Sequence, residues 1–182
     1  MPVSESDLIK RATAGDASAM HQIVNRHADD LFALACTLLH SRADAEDALQ
    51  ETMLGALRGI GKFEGRSSLR TWLTRILVNQ IWKIRRKRTT ERSRTFAEQG
   101  DDDQPPVDRK AEGSAAQVER KIDVQSMLNT LSEEHRQILV LRELEGMSYD
   151  EISQTLRIPP GTVESRLFRA RQQLKAKFKD YL

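Results

Sequence analysis

Residues 148–163 read SYDEISQTLRIPPGTV, and this stretch decides the fold of the chain. It predicts a helix over Ser148–Leu156, a tight turn over Arg157–Thr162 and a long basic helix over Pro160–Phe178. A further helix, over Ser132–Gly146, is predicted just before it. Two helices joined by such a turn form a helix-turn-helix, in which the last helix lies in the major groove of DNA.

The last predicted helix has an apolar stripe and an opposite face that is polar and basic. At about 100° per residue, the stripe contains Val163, Leu167, Ala170 and Leu174 and is extended by Phe178. The opposite face suits hydrogen bonds to base edges and contact with a thymine methyl group. The alternative is a solvated basic helix whose aromatic ring packs on another domain. The face carries Ser165, Phe168, Arg169 and Gln172, flanked by Arg166, Arg171 and Glu164.

Charge is strongly segregated along the 182 residues, although the net charge is only +2. Arg58–Arg94 contains twelve Lys or Arg residues and two acidic ones. Thr95–Glu119 contains two basic and seven acidic residues, and Arg157–Lys179 contains seven basic residues and one acidic residue. Two basic elements separated by an acidic spacer favour a protein that contacts a polyanion in two places.

Apolar residues recur three and four positions apart along most of the chain, which predicts an all-α fold. Two small helical domains are expected, over residues 1–92 and 116–182, joined by a flexible acidic linker over residues 93–115. In the first domain, Asp16 is expected to cap the second helix. The third helix is expected over Ala43–Gly59. The fourth is expected to start at a Ser67 or Ser68 cap and to end near Arg88.

Several functional classes are not favoured by the sequence. No apolar run approaches the roughly 20 residues needed to span a bilayer, and the first residues do not resemble a secretory leader, so we expect a cytoplasmic protein without membrane insertion. No glycine-rich loop of the phosphate-binding type is present. The four histidines show no metal-ligand spacing; they are His21, His27, His40 and His135. We therefore expect no metal, no cofactor and no enzymatic activity.

The fourth predicted helix carries a second basic surface. Its core side is expected to contain Leu69, Leu73, Ile76, Leu77, Gln80 and Ile84, and its far side Thr71, Arg75, Val78, Trp82 and Arg86, with Asn79 beside them. An aromatic ring among cations suits stacking on unpaired bases, and Phe63 in the preceding glycine-bracketed loop offers a second ring. The alternative is that Trp82 covers a neighbouring helix.

The third predicted helix is acidic instead, with Asp44, Glu46, Asp47 and Glu51 against one base, Arg42. Acidic residues early in a helix also interact favourably with its dipole, which is the alternative explanation. An acidic ridge beside a DNA-binding helix would repel DNA, so the pattern indicates a protein partner there.

These stretches resemble a known family. Asp44–Thr52 (DAEDALQET) and Phe63–Leu73 (FEGRSSLRTWL) are similar to conserved region 2 of bacterial sigma-70-type factors. Pro160–Arg171 (PGTVESRLFRAR) is similar to the recognition helix of region 4. Two such domains with only a short linker resemble the extracytoplasmic-function (ECF) group of RNA polymerase sigma factors.

The resemblance implies a factor that binds core RNA polymerase through its β and β′ subunits, directs it to promoter DNA and helps to open the duplex. It also implies inhibition by an anti-sigma factor. The implied polymerase contacts are Asp44, Asp47, Gln50, Glu51 and Thr52. The expected contacts with the unpaired −10 strand are Lys62, Phe63, Arg66, Ser67 and Asn79, together with Arg75, Trp82 and Arg86 from the helix face described above. For the duplex −35 element the resemblance adds Thr162 to the outer face of the last helix.

Two points stay open in the sequence. Glu164 stands where many relatives carry Lys or Arg, and a carboxylate there could accept a hydrogen bond from cytosine. The alternative function is a stand-alone helix-turn-helix regulator that binds operator DNA as a dimer, which gives no reason for the acidic ridge.

Overall fold

The computed structural model describes residues 3–98 and 124–178, and these form an all-α fold. Among the helices of these residues, none combines the length and apolar character that crossing a bilayer requires. A short 3₁₀ turn lies at Ile60–Lys62. The α-helices are α1 (Glu5–Thr13), α2 (Ala17–Leu38), α3 (Arg42–Gly59), α4 (Leu69–Glu98), α5 (Val124–Asn129), α6 (Glu133–Glu143), α7 (Tyr149–Leu156) and α8 (Pro160–Lys177).

Side-chain caps determine where several helices begin. Asp16 Oδ1 accepts hydrogen bonds from the backbone N–H groups of Ser18 and Ala19, at 2.8 and 3.1 Å. Ser68 Oγ accepts from the N–H of Thr71 at 3.0 Å, so Ser68 rather than Ser67 caps α4. Such bonds satisfy N–H groups that the helix itself leaves unpaired. Because this requirement is local, the sequence predicts these helix starts well.

The N-terminal unit, α1–α4, packs around a row of small residues on α3. Ala45, Ala48 and Ala56 on α3 are fully buried, and their small side chains let α2 and α4 approach closely. Leu31, Leu34 and their neighbours fill the α2 side of this core. The buried residues of α2 and α3 recur three and four positions apart, as in helices that pack on one side.

The core face of α4 differs from the predicted one. Val78, expected on the far side, has no exposed surface, and Thr74 and Ile81 are also fully buried. Ile76 and Gln80, expected in the core, are only half-buried. Leu69, Leu73 and Leu77 are buried as predicted, so the buried face is shifted by roughly 60° toward Thr74, Val78 and Ile81. The prediction failed because α4 is covered on more than one side, which a single amphipathic wheel does not represent.

α4 is also longer than predicted, because it continues past Arg88 to Glu98. Residues 89–98 include the helix formers Glu, Arg and Ala and contain neither Gly nor Pro. The start of the predicted linker therefore belongs to this helix. The remainder of the linker up to residue 115, and the predicted start of the second domain at 116, lie outside the described residues.

The C-terminal unit, α5–α8, is built around α6. Residues 136–141 are buried in an unbroken run, including Arg136 and Gln137. Arg136 Nε donates to the carbonyl oxygen of Leu128 at 3.0 Å, which satisfies part of its buried guanidinium. Burial is also the main cause that lowers the pKa of Arg136. On α8, the predicted stripe is confirmed, since Val163, Leu167 and Ala170 are at most 1% exposed.

The turn between α7 and α8 is held by hydrogen bonds around one left-handed residue. Arg157 adopts φ 54° and ψ 43°. The N–H of Ile158 donates to the Ser153 carbonyl at 3.2 Å, and Ser153 Oγ donates to the Ile158 carbonyl at 2.7 Å. Pro160 then starts α8 with the φ that a first helical residue needs. This turn fixes the angle at which α8 leaves α7.

We expect Arg157→Gly to raise the free energy of unfolding by about 1 kcal/mol, because a left-handed conformation costs an L-residue about 1–2 kcal/mol and glycine almost nothing. Denaturant-induced unfolding of the full chain measures the change. Arg157→Ala is the control, since alanine keeps the backbone strain and removes only the side chain. Equal gains in both variants would show that the side chain, not the backbone, was responsible.

Candidate nucleic-acid interface

The outer face of α8 is exposed, as its sequence pattern predicts. Phe168 is 63% exposed, and Ser165, Arg169 and Gln172 lie beside it on the solvent side. Within the described part of the chain, the side chains of Arg169 and Gln172 have no hydrogen-bond or ion-pair partner. A large exposed ring between polar groups that have no internal partner indicates a binding surface rather than a structural one.

The residues that flank this face are tied to α6. Arg166 forms an ion pair with Glu134 at 2.9 Å, and Arg171 forms one with Glu143 at 2.5 Å. The hydrogen bond from Arg171 to Glu143 raises the pKa of Arg171. Thr162 is half-buried, and its carbonyl accepts a hydrogen bond from Ser165 Oγ at 3.2 Å. Among the predicted −35 contacts, Arg169 and Gln172 at the centre of the face have no partner within the described residues, whereas Arg166 and Arg171 at its sides already form ion pairs with α6.

A cleft of about 900 Å³, which we call the interdomain cleft, separates α4 from the C-terminal unit. Asn79, Trp82 and Arg86 line its α4 wall, and Arg157 and Arg166 lie on the opposite wall. Trp82 is half-buried and also packs against the hydrophobic core. Part of the Trp82 ring therefore covers neighbouring residues, as the alternative explanation expects, and the rest of it faces the cleft.

The predicted loop residues lie before α4 and do not line this cleft. Lys62 and Arg66 are exposed, and Arg66 pairs with Glu64 at 2.8 Å. Phe63 packs against Trp72, with ring centroids 5.3 Å apart and planes tilted by 56°. Ser67 Oγ donates weakly to the neighbouring Ser68 carbonyl at 3.4 Å. The structure thus places the −10 candidates in two groups, one in the loop and one in the cleft, and Arg75 lies in neither.

Arg85 is a structural residue that the sequence pattern did not distinguish from its neighbours. Its Nη2 donates to the Leu38 carbonyl at 2.7 Å, and its Nε lies 3.4 Å from Glu133 Oε2. Burial lowers the pKa of Arg85. Arg75, a predicted DNA contact, lies 3.9 Å from Glu151. Two cations of α4 therefore face acidic residues of the C-terminal unit.

The acidic ridge on α3 has an exposed part and a buried part. Asp47, Gln50 and Glu51 are all exposed on its outer side. Asp44 forms an ion pair with Arg88 of α4. Thr52 has no exposed surface and donates to the Ala48 carbonyl at 2.6 Å. Thr52 is therefore a core residue beneath the exposed residues of α3. The prediction that it contacts the polymerase is not compatible with its burial.

Two leucines of α3 are exposed in the structure, although the sequence pattern did not identify them as candidates for a binding surface. Leu54 is 37% and Leu57 is 56% exposed. With Gln50 and Met53 they line an apolar groove of about 320 Å³ against α2. Gln50, Leu54 and Leu57 are spaced at i, i+4 and i+7, so a helical wheel of α3 could have revealed them. We call Asp47, Gln50, Glu51, Leu54 and Leu57 the α3 surface.

No three His, Cys, Asp or Glu side chains in the described ranges cluster closely enough to hold a metal ion.

The second helix of a helix-turn-helix, when its outer face is exposed, basic and aromatic, is typical of a DNA-binding protein. Residues 23–91 match the family Sigma-70 region 2, and residues 121–174 match Sigma-70, region 4. The chain therefore belongs to the sigma-70 family of RNA polymerase sigma factors, in its ECF group.

Similar proteins extend over both units. The chain is 31% identical over 176 residues to the RNA polymerase sigma-H factor of Pseudomonas aeruginosa, covering 93% of this chain and 91% of that protein. It is 36% identical over 171 residues to the ECF sigma factor SigM of Mycobacterium tuberculosis, covering 94% and 83%.

Two solved structures are similar in fold. One is the sigma factor RpoE of Bartonella quintana in complex with the anti-sigma factor NepR, with a TM-score of 0.67, 27% identity and coverage of 89% of this chain and 98% of that one. The other is CnrH in complex with the cytosolic domain of CnrY, with a TM-score of 0.62, 26% identity and coverage of 96% and 97%. The chain is thus a promoter-directing sigma factor, and the stand-alone dimeric regulator is not favoured.

Proposed function

We propose that this sigma factor acts by binding alone, with α8 on the duplex −35 element, the region around α4 on the unpaired −10 strand and the α3 surface on core RNA polymerase. The exposed outer face of α8 is the observation that carries the proposal. Its place of action is the cytoplasm, where the polymerase works. The chain has no chemistry of its own in this scheme, because the polymerase supplies the catalytic step.

The −35 contacts are expected to centre on Ser165, Phe168, Arg169 and Gln172. Arg can bond guanine with two hydrogen bonds, Gln can bond adenine, and a ring can contact a thymine methyl group. Arg169 and Gln172 are free to do so, because they have no internal partner among the described residues. Arg166 and Arg171 must first leave Glu134 and Glu143, so they suit phosphate contacts at the edge of the interface.

The −10 contacts are expected from the cleft group and the loop group. Trp82 offers for stacking the part of its indole ring that is exposed to the interdomain cleft, and Asn79 and Arg86 can bind a base edge and a phosphate. In the loop, Lys62 and Arg66 are exposed and suit the backbone of the same strand. Phe63 must release Trp72 before it can stack on a base, so we expect it to support the loop.

The polymerase contacts are expected on the α3 surface. Acidic residues beside two exposed leucines match a partner surface that is basic at its rim and apolar at its centre. In this scheme the α3 surface is the main contact with the β and β′ subunits of the polymerase. An anti-sigma factor is a further proposed partner, since the similar RpoE was solved bound to one.

The deciding experiment is transcription by core polymerase with and without the full chain, on a genomic fragment library of the bacterium that encodes it. Sequenced 5′ ends should define start sites that depend on the chain and share two upstream elements. Run-off transcription on one such promoter then gives a quantitative assay. Start sites that are the same without the chain would refute the proposal.

A further inference from the structure

The three arginines of α8 differ in their surroundings. Arg169, on the outer face, has no internal partner among the described residues. Arg166 and Arg171 lie on opposite flanks of that face, and each contacts a carboxylate of α6. The arginine that is best placed to bind a base is therefore free. The two that suit phosphates at the edge of the interface each already hold an anion of the protein.

Both ion pairs lie near the surface of the C-terminal unit. Nη2 and Nε of Arg171 donate to Glu143 Oε1, at 2.5 and 3.2 Å. Nη2 of Arg166 lies 2.9 Å from Glu134 Oε2. The side chains of Glu143 and Glu134 are 48% and 66% exposed. Ion pairs with this exposure contribute little to the stability of a fold, so stability does not explain an acid at each edge of the DNA-facing surface.

A carboxylate and a DNA phosphate compete for the same arginine, because both accept hydrogen bonds from the same guanidinium N–H groups. A phosphate can take the place of Glu143 on Arg171 only if the ion pair breaks. The released carboxylate then lies close to the DNA backbone, which has the same sign of charge. Each acid of α6 therefore opposes DNA binding in two ways, by holding the arginine and by repelling the phosphate.

We propose that Glu134 and Glu143 are affinity-limiting residues of the promoter interface, which compete with the −35 phosphates for Arg166 and Arg171. The proposal rests on the proposed function, in which α8 binds the −35 duplex. The two acids keep the affinity of α8 for DNA below the value that its cations alone would give. Promoter binding then depends more strongly on the base contacts at the centre of the outer face.

The first test is the affinity of the reconstituted holoenzyme for its promoter duplex at one fixed salt concentration. Glu143→Gln and Glu134→Gln, made separately in the full chain, should each raise this affinity about two- to fivefold. Glutamine keeps the size of the side chain and removes its charge. Misfolding would lower the affinity, so it cannot produce the expected gain. A loss of affinity in both variants would show that the acids position the arginines for DNA, and would overturn the proposal.

A double-mutant cycle separates competition from simple repulsion. In an Arg171→Ala background, Glu143→Gln can relieve only the repulsion, so its gain in affinity should be at least twofold smaller than in the wild-type background. Glu164→Gln is the matched control, because Glu164 is an acid of α8 that has no cationic partner among the described residues. Its effect should be the same in both backgrounds. Equal gains from Glu143→Gln with and without Arg171 would leave repulsion as the whole explanation and refute the competition.

The salt dependence of promoter binding gives a second readout. In the wild-type chain, a carboxylate released from its arginine attracts a cation from solution, which offsets part of the counterion release from DNA. Glu143→Gln should therefore steepen the slope of log affinity against log salt by up to about 0.9 between about 50 and 200 mM. An unchanged slope would contradict the proposal.

Failure of the proposed function gives a different pattern. If α8 did not bind the −35 element, Arg169→Ala would leave promoter affinity unchanged, as would both glutamine variants. If Arg169→Ala weakens binding and neither glutamine variant strengthens it, α8 still binds the promoter but Glu134 and Glu143 do not limit its affinity.

Discussion

Replacing Arg169 with alanine is expected to weaken binding of the −35 duplex by about 5- to 150-fold, because one bidentate contact to a base contributes about 1–3 kcal/mol. Arg169 is exposed on the outer face of α8 and has no internal partner among the described residues, so its removal should leave the fold intact. The measurement is the affinity of the reconstituted holoenzyme for its promoter duplex at one fixed salt concentration.

Two further variants separate contact with a base from contact with a phosphate. Arg169→Lys keeps the charge but loses the two-pronged geometry, so a base contact predicts a loss close to that of alanine. A phosphate contact predicts near-complete rescue by lysine and a smaller salt dependence in the alanine variant. Lys10→Ala, on α1, removes one exposed positive charge elsewhere and should change affinity little. A drop in polymerase affinity in the Arg169→Ala chain would contradict the assignment to DNA.

The local features of the fold could be predicted from the sequence because neighbouring residues determine them. Asp16 and Ser68 cap helices through bonds to residues two or three positions away. The buried stripe of α8 follows from helical periodicity, and Phe168 is exposed because it lies on the opposite side of the same helix. Periodicity alone was therefore enough to identify the outer surface of α8. What that surface binds remains a prediction.

The orientation of α4 and the interface between the units could not be predicted in the same way. Val78 is buried because α4 has neighbours on more than one side, and these neighbours cannot be identified from the sequence of α4 itself. Arg70 and Glu145 are 75 positions apart, and nothing local indicates that they meet. Arg157 is a similar case, since its left-handed turn lacks the glycine that usually marks one. Long-range packing decided each of these features.

Leu57→Asp is the second substitution for which we expect a large effect, a loss of core polymerase affinity of about 10- to 100-fold. Leu57 is 56% exposed in the free chain, and burying an apolar side chain of this size contributes about 1.5–3 kcal/mol. An aspartate at the same place would lose that contribution and bury an unpaired carboxylate. Asp47→Arg should act in the same direction, because it reverses the charge of the α3 surface. Equilibrium binding of the labelled chain to core polymerase measures both.

Val124→Asp is the matched control for this change. Val124 is 58% exposed, almost the same as Leu57, but it begins α5, far along the chain from the α3 surface. An aspartate at a helix start is favourable for the helix dipole, so the fold should tolerate it. If both substitutions weakened polymerase binding equally, general loss of apolar surface would explain the result. If only Leu57→Asp did so, the exposed leucines of α3 would be part of the polymerase contact, because a matched change at an equally exposed position has no such effect.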